Sequence, residues 1–460
     1  MIDGPRVAVI GLDCAAPDLL FNTYAKDLPN ISSLLSTSLW GDLESIIPPI
    51  TVPAWACAMT GLTPGQLGIY GFRNRKDRTY DGLSLATSQA VTREAVWDRL
   101  GRVGGKSLLI GVPPGYPPKP VPGWQVSCFL TPDSARSYTW PAALAGEIEE
   151  EVGEYIFDIP NFRLADEEFV LRRIHAMTER RFKVARRLVR NKPWDFFMMV
   201  EIALDRLHHV FWQHCDPTHV KYAGNNPFES AFHDYYRLLD REIGALLEVL
   251  PSDTVTIVMS DHGARRMDGG VCLNEWLMRE GYLRMLQPLE GPTRIGDAPV
   301  DWSRTIAWGD GGYYGRIFLN LRGREPEGVV EPAEYEELRS EIADKLEAML
   351  GTDGKRLGNR VFRPDAIYPE VEGLAPDLMV YFGDLSWRSV GMVGTGEIFT
   401  LENDTGPDGA NHAQFGVFAM SGAPATPARR AEGLWLVDVG PTILDMYGVD
   451  AGDVVGRSFL

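Results

Sequence analysis

Three apolar runs of this chain end by presenting a carboxylate, and one adds an imidazole. The run TVTIVMSDHGAR, residues 254–265, stops abruptly at Ser260-Asp261-His262-Gly263. Asp13 closes VAVIGLD (7–13), and Asp205 closes DFFMMVEIALD (195–205). A carboxylate beside an imidazole is either a polar turn that closes a buried strand or part of a metal site. Ligands of open α/β sheets bind outside the carboxyl ends of the strands. Asp13, Asp205, Asp261 and His262, on one such edge, therefore read together as a cation-binding group.

Three further segments extend the set. DRLHH places Asp205 and His209 four apart; if a helix begins there, both lie on one face and can grip one ion. His208 competes for that role, since HHVFWQHCDPTH holds several histidines. The plainer alternative is a helix capped by Asp205 with its histidines on a polar face. In IPPITVPAWACAMTG (47–61), Pro48 and Pro49 force an extended approach, and Thr51 before Pro53 suits a first helical turn. A hydroxyl there faces free backbone N–H groups and the positive end of the helix dipole, which makes an anion site with a nucleophile in it. An ordinary threonine cap is the alternative. Finally, GANHAQFGVFAMSG carries His412, the only histidine after His262.

The elements that must position these residues follow from hydrophobic patterning. Near-continuous apolar runs at 7–13, 107–113, 195–205, 254–261, 377–382 and 416–422 alternate with helical periodicity. That pattern argues for an α/β fold with a mainly parallel sheet covered on both faces. Helical stripes are clearest at 333–350 and 228–250. Residues 114–165, rich in Pro, Gly and Ser, read as a loop-rich insertion, and 284–375 as an inserted cap or lid. The core is then 1–283 plus 376–460. The basic run at 169–190 reads as a solvated helix face.

Composition narrows the partners. The 460 residues carry a net charge of −18, which repels phosphate backbones, so nucleic acid is not an expected partner. A phosphorylated small molecule stays open, because bound cations invert the local field. The first residues lack the basic and long apolar regions of a secretory signal, and the apolar runs are of strand length. A soluble, cytoplasmic protein without membrane partners is expected. The five cysteines are scattered without CxxC spacing, which fits a reducing compartment.

The order Asp13, Thr51 in a T-x-P helix start, D-x-x-x-H, S-D-H-G and a late G-x-x-H resembles the alkaline phosphatase superfamily. It is most similar to the type I phosphodiesterase/nucleotide pyrophosphatase branch and to related predicted phosphohydrolases and phosphomutases. The ending LVDVGPTILDMYGVDAGDVVGRSFL is similar to the superfamily's usual one, so the resemblance spans the whole core. It implies a three-layer α/β/α sandwich with inserted cap segments and two divalent cations, Zn²⁺ first and Mn²⁺ second. By resemblance, Asp13, Thr51, Asp261 and His262 hold one ion, and Asp205, His209 and His412 the other. Thr51 is then the nucleophile, passing through a phospho-threonine intermediate. Two cations about 4 Å apart neutralise the entering and leaving oxygens of an in-line displacement and make the threonine hydroxyl reactive.

One position departs from the family. Its T-F-P-N motif reads TVPA here, so Ala54 stands where the phosphate-binding Asn is expected. Arg265, Arg266 and Arg316 are candidate replacements. Trp55 and Tyr70 are candidates to line the substrate pocket, as are Phe72, Tyr313 and Tyr314, with ordinary packing as the alternative. GDGGYYG lacks Walker spacing and its Lys, so it is not read as a phosphate loop. The resulting expectation is a metal-dependent phosphodiesterase or phosphohydrolase acting on a small phosphate ester. A phosphomutase is the second reading, against which Thr51 counts, and a non-catalytic metal-binding homologue the third. TVPAW lacks the context of a sulfatase.

Overall fold

The structure is a computed structural model that describes residue 2 and residues 4–80, 82–132, 137–423 and 426–460. The chain divides into two compact units. The first comprises 1–72, 86–264 and 412–460, and the second 73–85 and 265–411.

The first unit is built on one ten-stranded sheet. Its strands are β1 (Val7–Leu12), β2 (Ser38–Glu44), β3 (Ser107–Ile110), β4 (Gly123–Val126), β5 (Thr139–Trp140), β6 (Phe196–Glu201), β7 (Val255–Met259), β8 (Phe415–Ser421), β9 (Arg429–Arg430) and β10 (Leu434–Trp435). They lie in the order β9-β2-β8-β7-β1-β6-β3-β4-β5, with β10 also on β2. All run in one direction except β5 and β8. The expected α/β/α sandwich is the architecture of this unit, with a mixed, mostly parallel sheet. The run 416–422, counted among the parallel strands from its apolar content, is the antiparallel β8. An apolar run does not reveal its direction.

Alternation sorts the strand residues between two faces. Val7 and Val9, Phe196, Met198 and Val200, and Val255, Ile257 and Met259 share one core with α1 (Thr51–Thr60) and with a helix over Val439–Met446. The opposite face carries α2 (Glu167–Asn191), which packs on β6 and β3 and against α3 (Ala203–Cys215) and α4 (Ala231–Leu247). The basic stretch 169–190 lies within α2, and half-buried arginines on it pair with acids: Arg173 and Arg180 with Glu154, and Arg187 with Glu151. The segment 114–165, expected to be loop-rich, also supplies β4, the edge strand β5 and a helix over Leu144–Val152.

The register of the three central strands decides where chemistry can occur. β1 pairs in parallel with β6 so that Leu12 lies opposite Glu201, and with β7 so that Gly11 lies opposite Met259. Their carboxyl ends are therefore level, and the residues that follow emerge together. Gly11 lets α1 close onto this layer: a Cβ there would meet the Trp55 ring at 2.6 Å and Val200 at 2.9 Å. At the opposite end of α1, Gly61 takes φ +72°, the left-handed conformation of a helix C-cap, and its N–H meets the Cys57 carbonyl.

The second unit has its own core. An antiparallel sheet joins Ala307–Asp310, Gly315–Leu319, Leu378–Tyr381 and Arg360–Phe362, backed by helices over Leu273–Arg279 and Tyr335–Glu347. The run 377–382 belongs to this sheet and not to the central one. GDGGYYG spans the turn between its first two strands. The expected insertion 284–375 falls within this unit, which also takes in 73–85, 265–283 and 376–411.

Candidate active site

Asp13 follows β1 directly, and its N–H donates to the Glu201 carbonyl at 3.0 Å, continuing the β1–β6 ladder. Asp261 and His262 follow β7 by the same register. Asp205 does not end a strand. β6 stops at Glu201, and α3 starts at Ala203 with Asp205 in its first turn. The Glu201 carboxylate accepts from the Ala203 N–H at 2.8 Å and so caps the helix, a role the capped-helix alternative gave to Asp205. Arg181 of α2 holds this corner: its guanidinium lies 3.6 Å from the Glu201 carboxylate and donates to the Val200 carbonyl at 2.9 Å.

These placements bring all seven expected residues together. Asp13, Asp261 and His262 form one group whose ligand atoms lie within 4.8 Å of one another; Asp205, His209 and His412 form a second. Thr51, the first residue of α1, lies with its hydroxyl 3.4 Å from Asp13 Oδ1 and 3.2 Å from His262 Nε2. Asp261 Oδ2 lies 3.2 Å from His262 Nε2, and Asp205 Oδ2 lies 3.1 Å from His209 Nε2 and 3.7 Å from His412 Nε2. The rings of His262 and His412 stack at 3.8 Å and bridge the two groups. α3 resolves the histidine ambiguity. His208 turns away from the cluster, toward Tyr236 (Nε2 to hydroxyl 3.1 Å), and packs among Trp212 and Phe232.

Every one of these side chains is at most 2 % exposed. Burial, and then the neighbouring Asp205, hold the Asp13 carboxyl well above its usual range; burial and Asp13 do the same to Asp261. Burial would raise Asp205 too, but His209 and Arg206 outweigh it and hold this carboxyl low. Burial lowers His262 to about 4 and pushes His412 well down. Three buried carboxylates share this site with His262 and His412, two imidazoles that burial holds neutral, so the site is short of positive charge. Asp205 Oδ2 and Asp261 Oδ2 accept no hydrogen bond among the described residues. The donor set, carboxylate oxygen with imidazole nitrogen, is that of Zn²⁺ or Mn²⁺.

Main-chain carbonyls orient the imidazoles. His412 Nδ1 donates to the Pro49 carbonyl at 2.7 Å, and His262 Nδ1 to the Gly263 carbonyl at 3.0 Å, which turns each Nε2 lone pair toward the carboxylates. Sequence reasoning passed over these partners, because a carbonyl leaves no signature in residue type.

Trp55 takes a different part from the one expected. Its ring is buried in the core behind α1, and its indole N–H donates to Asp13 Oδ2 at 2.7 Å. Fully buried, it fixes a carboxylate. Spacing offered a hint, since Trp55 stands four residues after Thr51 and so on the same helix face. Trp55→Phe keeps the packing and deletes the donor. We expect cation affinity about 10- to 100-fold weaker with the fold retained, measured by competition with a chromogenic chelator; unchanged affinity would remove Trp55 from the site. Tyr70 is likewise buried, at 1 % exposure. Arg265 and Arg316 belong to the second unit, where they engage Asp384 and Asp310, and Arg266 pairs with Asp268. In the first unit, Arg206 joins Asp205 and makes a two-pronged pair with Asp158 at 2.8 Å.

Comparison with known proteins adds the following. The model of the type I phosphodiesterase / nucleotide pyrophosphatase family matches residues 7–410. No curated protein sequence matches the chain. Among solved structures, murine ectonucleotide pyrophosphatase / phosphodiesterase 5 superposes with a TM-score of 0.57 at 14% identity, over 98% of this chain and 97% of that one. The human protein of that name gives 0.57 at 12% identity with the same coverage. An inactive form of the murine protein, in complex with AMP, matches equally well, also at 12% identity.

Proposed function

Because the chain belongs to the type I phosphodiesterase / nucleotide pyrophosphatase family of the alkaline phosphatase superfamily, hydrolases of phosphoric esters, we propose that it is a two-metal phosphodiesterase working through Thr51. The observation that carries this reading is the pair of buried ligand groups with the Thr51 hydroxyl in hydrogen-bond reach of one of them. Asp13, Asp261 and His262 would hold one cation beside Thr51, and Asp205, His209 and His412 the other. Bound there, two divalent cations, Zn²⁺ first and Mn²⁺ second, neutralise phosphate charge and make a threonine oxygen nucleophilic near neutral pH.

The residues of the chain divide the remaining work. Thr51 Oγ1 attacks phosphorus as the bond to the leaving oxygen breaks, giving a phospho-threonine that water then hydrolyses. Asp13 and His262 hold the hydroxyl in place from two sides. The N-terminus of α1, at the same residue, favours the negative phosphoryl group through its dipole. Trp55 keeps Asp13 from turning.

AMP is the ligand of the murine relative, so a nucleotide ester is a reasonable second substrate after a generic diester. Ala54 in place of the expected Asn argues for a phosphate grip that differs from that of the family. The test is hydrolysis of bis-p-nitrophenyl phosphate against p-nitrophenyl phosphate, before and after chelation and after restoring Zn²⁺ or Mn²⁺. Diester cleavage lost on chelation and regained with metal supports the proposal. Monoester preference would recast the protein as a phosphatase. Transfer to an added alcohol in place of hydrolysis would favour the phosphomutase reading.

A further inference from the structure

Among the described residues grouped at this site, Cys14 is the one able to bind a metal that the reaction above leaves without a task. It follows Asp13 directly and is 1 % exposed. Its Sγ, with one ring nitrogen each of His262 and His412, forms a third group whose ligand atoms lie within 4.8 Å of one another. That group shares His262 with the first set and His412 with the second, so the sulfur sits where the two sets meet. The other four cysteines belong to no such group among the described residues.

The backbone holds the thiol there against its own preference. Cys14 has φ +67°, a conformation that glycine adopts freely and L side chains rarely do. The position is fixed on both sides, as the Cys14 N–H donates to Asp261 Oδ1 at 3.3 Å and the thiol donates to the Gly263 carbonyl at 3.4 Å. That carbonyl also receives His262 Nδ1.

We propose that Cys14 is a sulfur ligand of the metal centre, approaching from the side of His262 and His412. The inference rests on the two-metal reading above. Binding exchanges the S–H bond for a sulfur–metal bond, and the proton leaves to solvent. The groups around the thiol are Asp13 and Asp261 together with His262 and His412. A thiol that coordinates a divalent cation does so as the thiolate. A soft donor in an oxygen and nitrogen site draws the centre toward Zn²⁺ and away from Mn²⁺ or Mg²⁺.

The experiment uses the full chain loaded with Co²⁺, with Cys14→Gly and Cys14→Ser beside the wild type. Cys14→Gly suits the positive φ and so guards against misfolding, and all variants keep the other four cysteines. The expected result is an intense near-ultraviolet sulfur-to-cobalt band in the wild type that both variants lose, while visible cobalt bands persist in all three. X-ray absorption of the Zn²⁺ form should show a sulfur neighbour at about 2.3 Å, absent from Cys14→Gly. Visible cobalt bands without the sulfur band in the wild type would overturn the Cys14 assignment and leave the phosphodiesterase reading standing. No cobalt binding at all would overturn both.

Discussion

Thr51→Ala is expected to lower cleavage of bis-p-nitrophenyl phosphate by about four orders of magnitude or more while nearly all the bound metal remains. The change removes one hydroxyl and one methyl from a buried helix start. Asp13, Asp261 and His262 keep their mutual contacts, and Trp55 still fixes Asp13. What disappears is the oxygen that takes the phosphoryl group, and the nearest hydroxyl on α1 is Thr60, at the other end of the helix. Turnover per active site with parallel metal analysis separates the outcomes. Loss of both activity and metal would make Thr51 chiefly a ligand. Retained activity would exclude it as the nucleophile. Thr51→Ser keeps the hydroxyl and should keep most of the rate.

The second large effect separates two adjacent histidines. His209→Ala should release one of two ions and cut activity about 100-fold or more. His208→Ala should keep both ions and instead cost about 2 to 4 kcal/mol of stability. The reason is helical phase. His209 lies one turn beyond Asp205, with Nε2 at 3.1 Å from its carboxylate. His208 is rotated toward α4, where it fills a space among Trp212, Phe232 and Tyr236 and meets a phenol oxygen. Burial lowers His208 to about 3, so it is a neutral core side chain. Metal stoichiometry and thermal melts of the two variants give opposite patterns on this account. If His208→Ala loses metal and His209→Ala does not, the assignment of α3 is reversed.

Much of the site was legible in the chain because strand ends, helix phase and residue type are local signals. Asp13 and Asp261 follow apolar runs, and parallel register levels those runs without help from distant sequence. Asp205 and His209 needed only the i, i+4 rule, although Asp205 lies in the first turn of a helix and not at the strand end. His412 was found by elimination. Tertiary partners were not legible. Trp55 reads as a candidate for stacking on substrate until α1 is seen to turn its indole back onto Asp13. Arg265 and Arg316 read as candidate phosphate donors until Asp384, 119 residues away, and Asp310, across the hairpin, are seen to engage them. The direction of β8 and the sheet that claims 378–381 depend on long-range pairing, which hydrophobicity alone does not encode.

The stacked rings of His262 and His412 have a consequence for folding. About 150 residues separate them along the chain, and closing so long a loop costs about 4 kcal/mol of chain entropy beyond a constant. Two neutral, buried imidazoles do little to hold such a closure. A cation gripped by the ligands around them would act as a clasp on the loop, and by mass action it would add about 4 kcal/mol at a thousandfold excess over its dissociation constant. On the two-metal reading, metal supply would govern how long the chain survives heat and proteases as well as how fast it turns over.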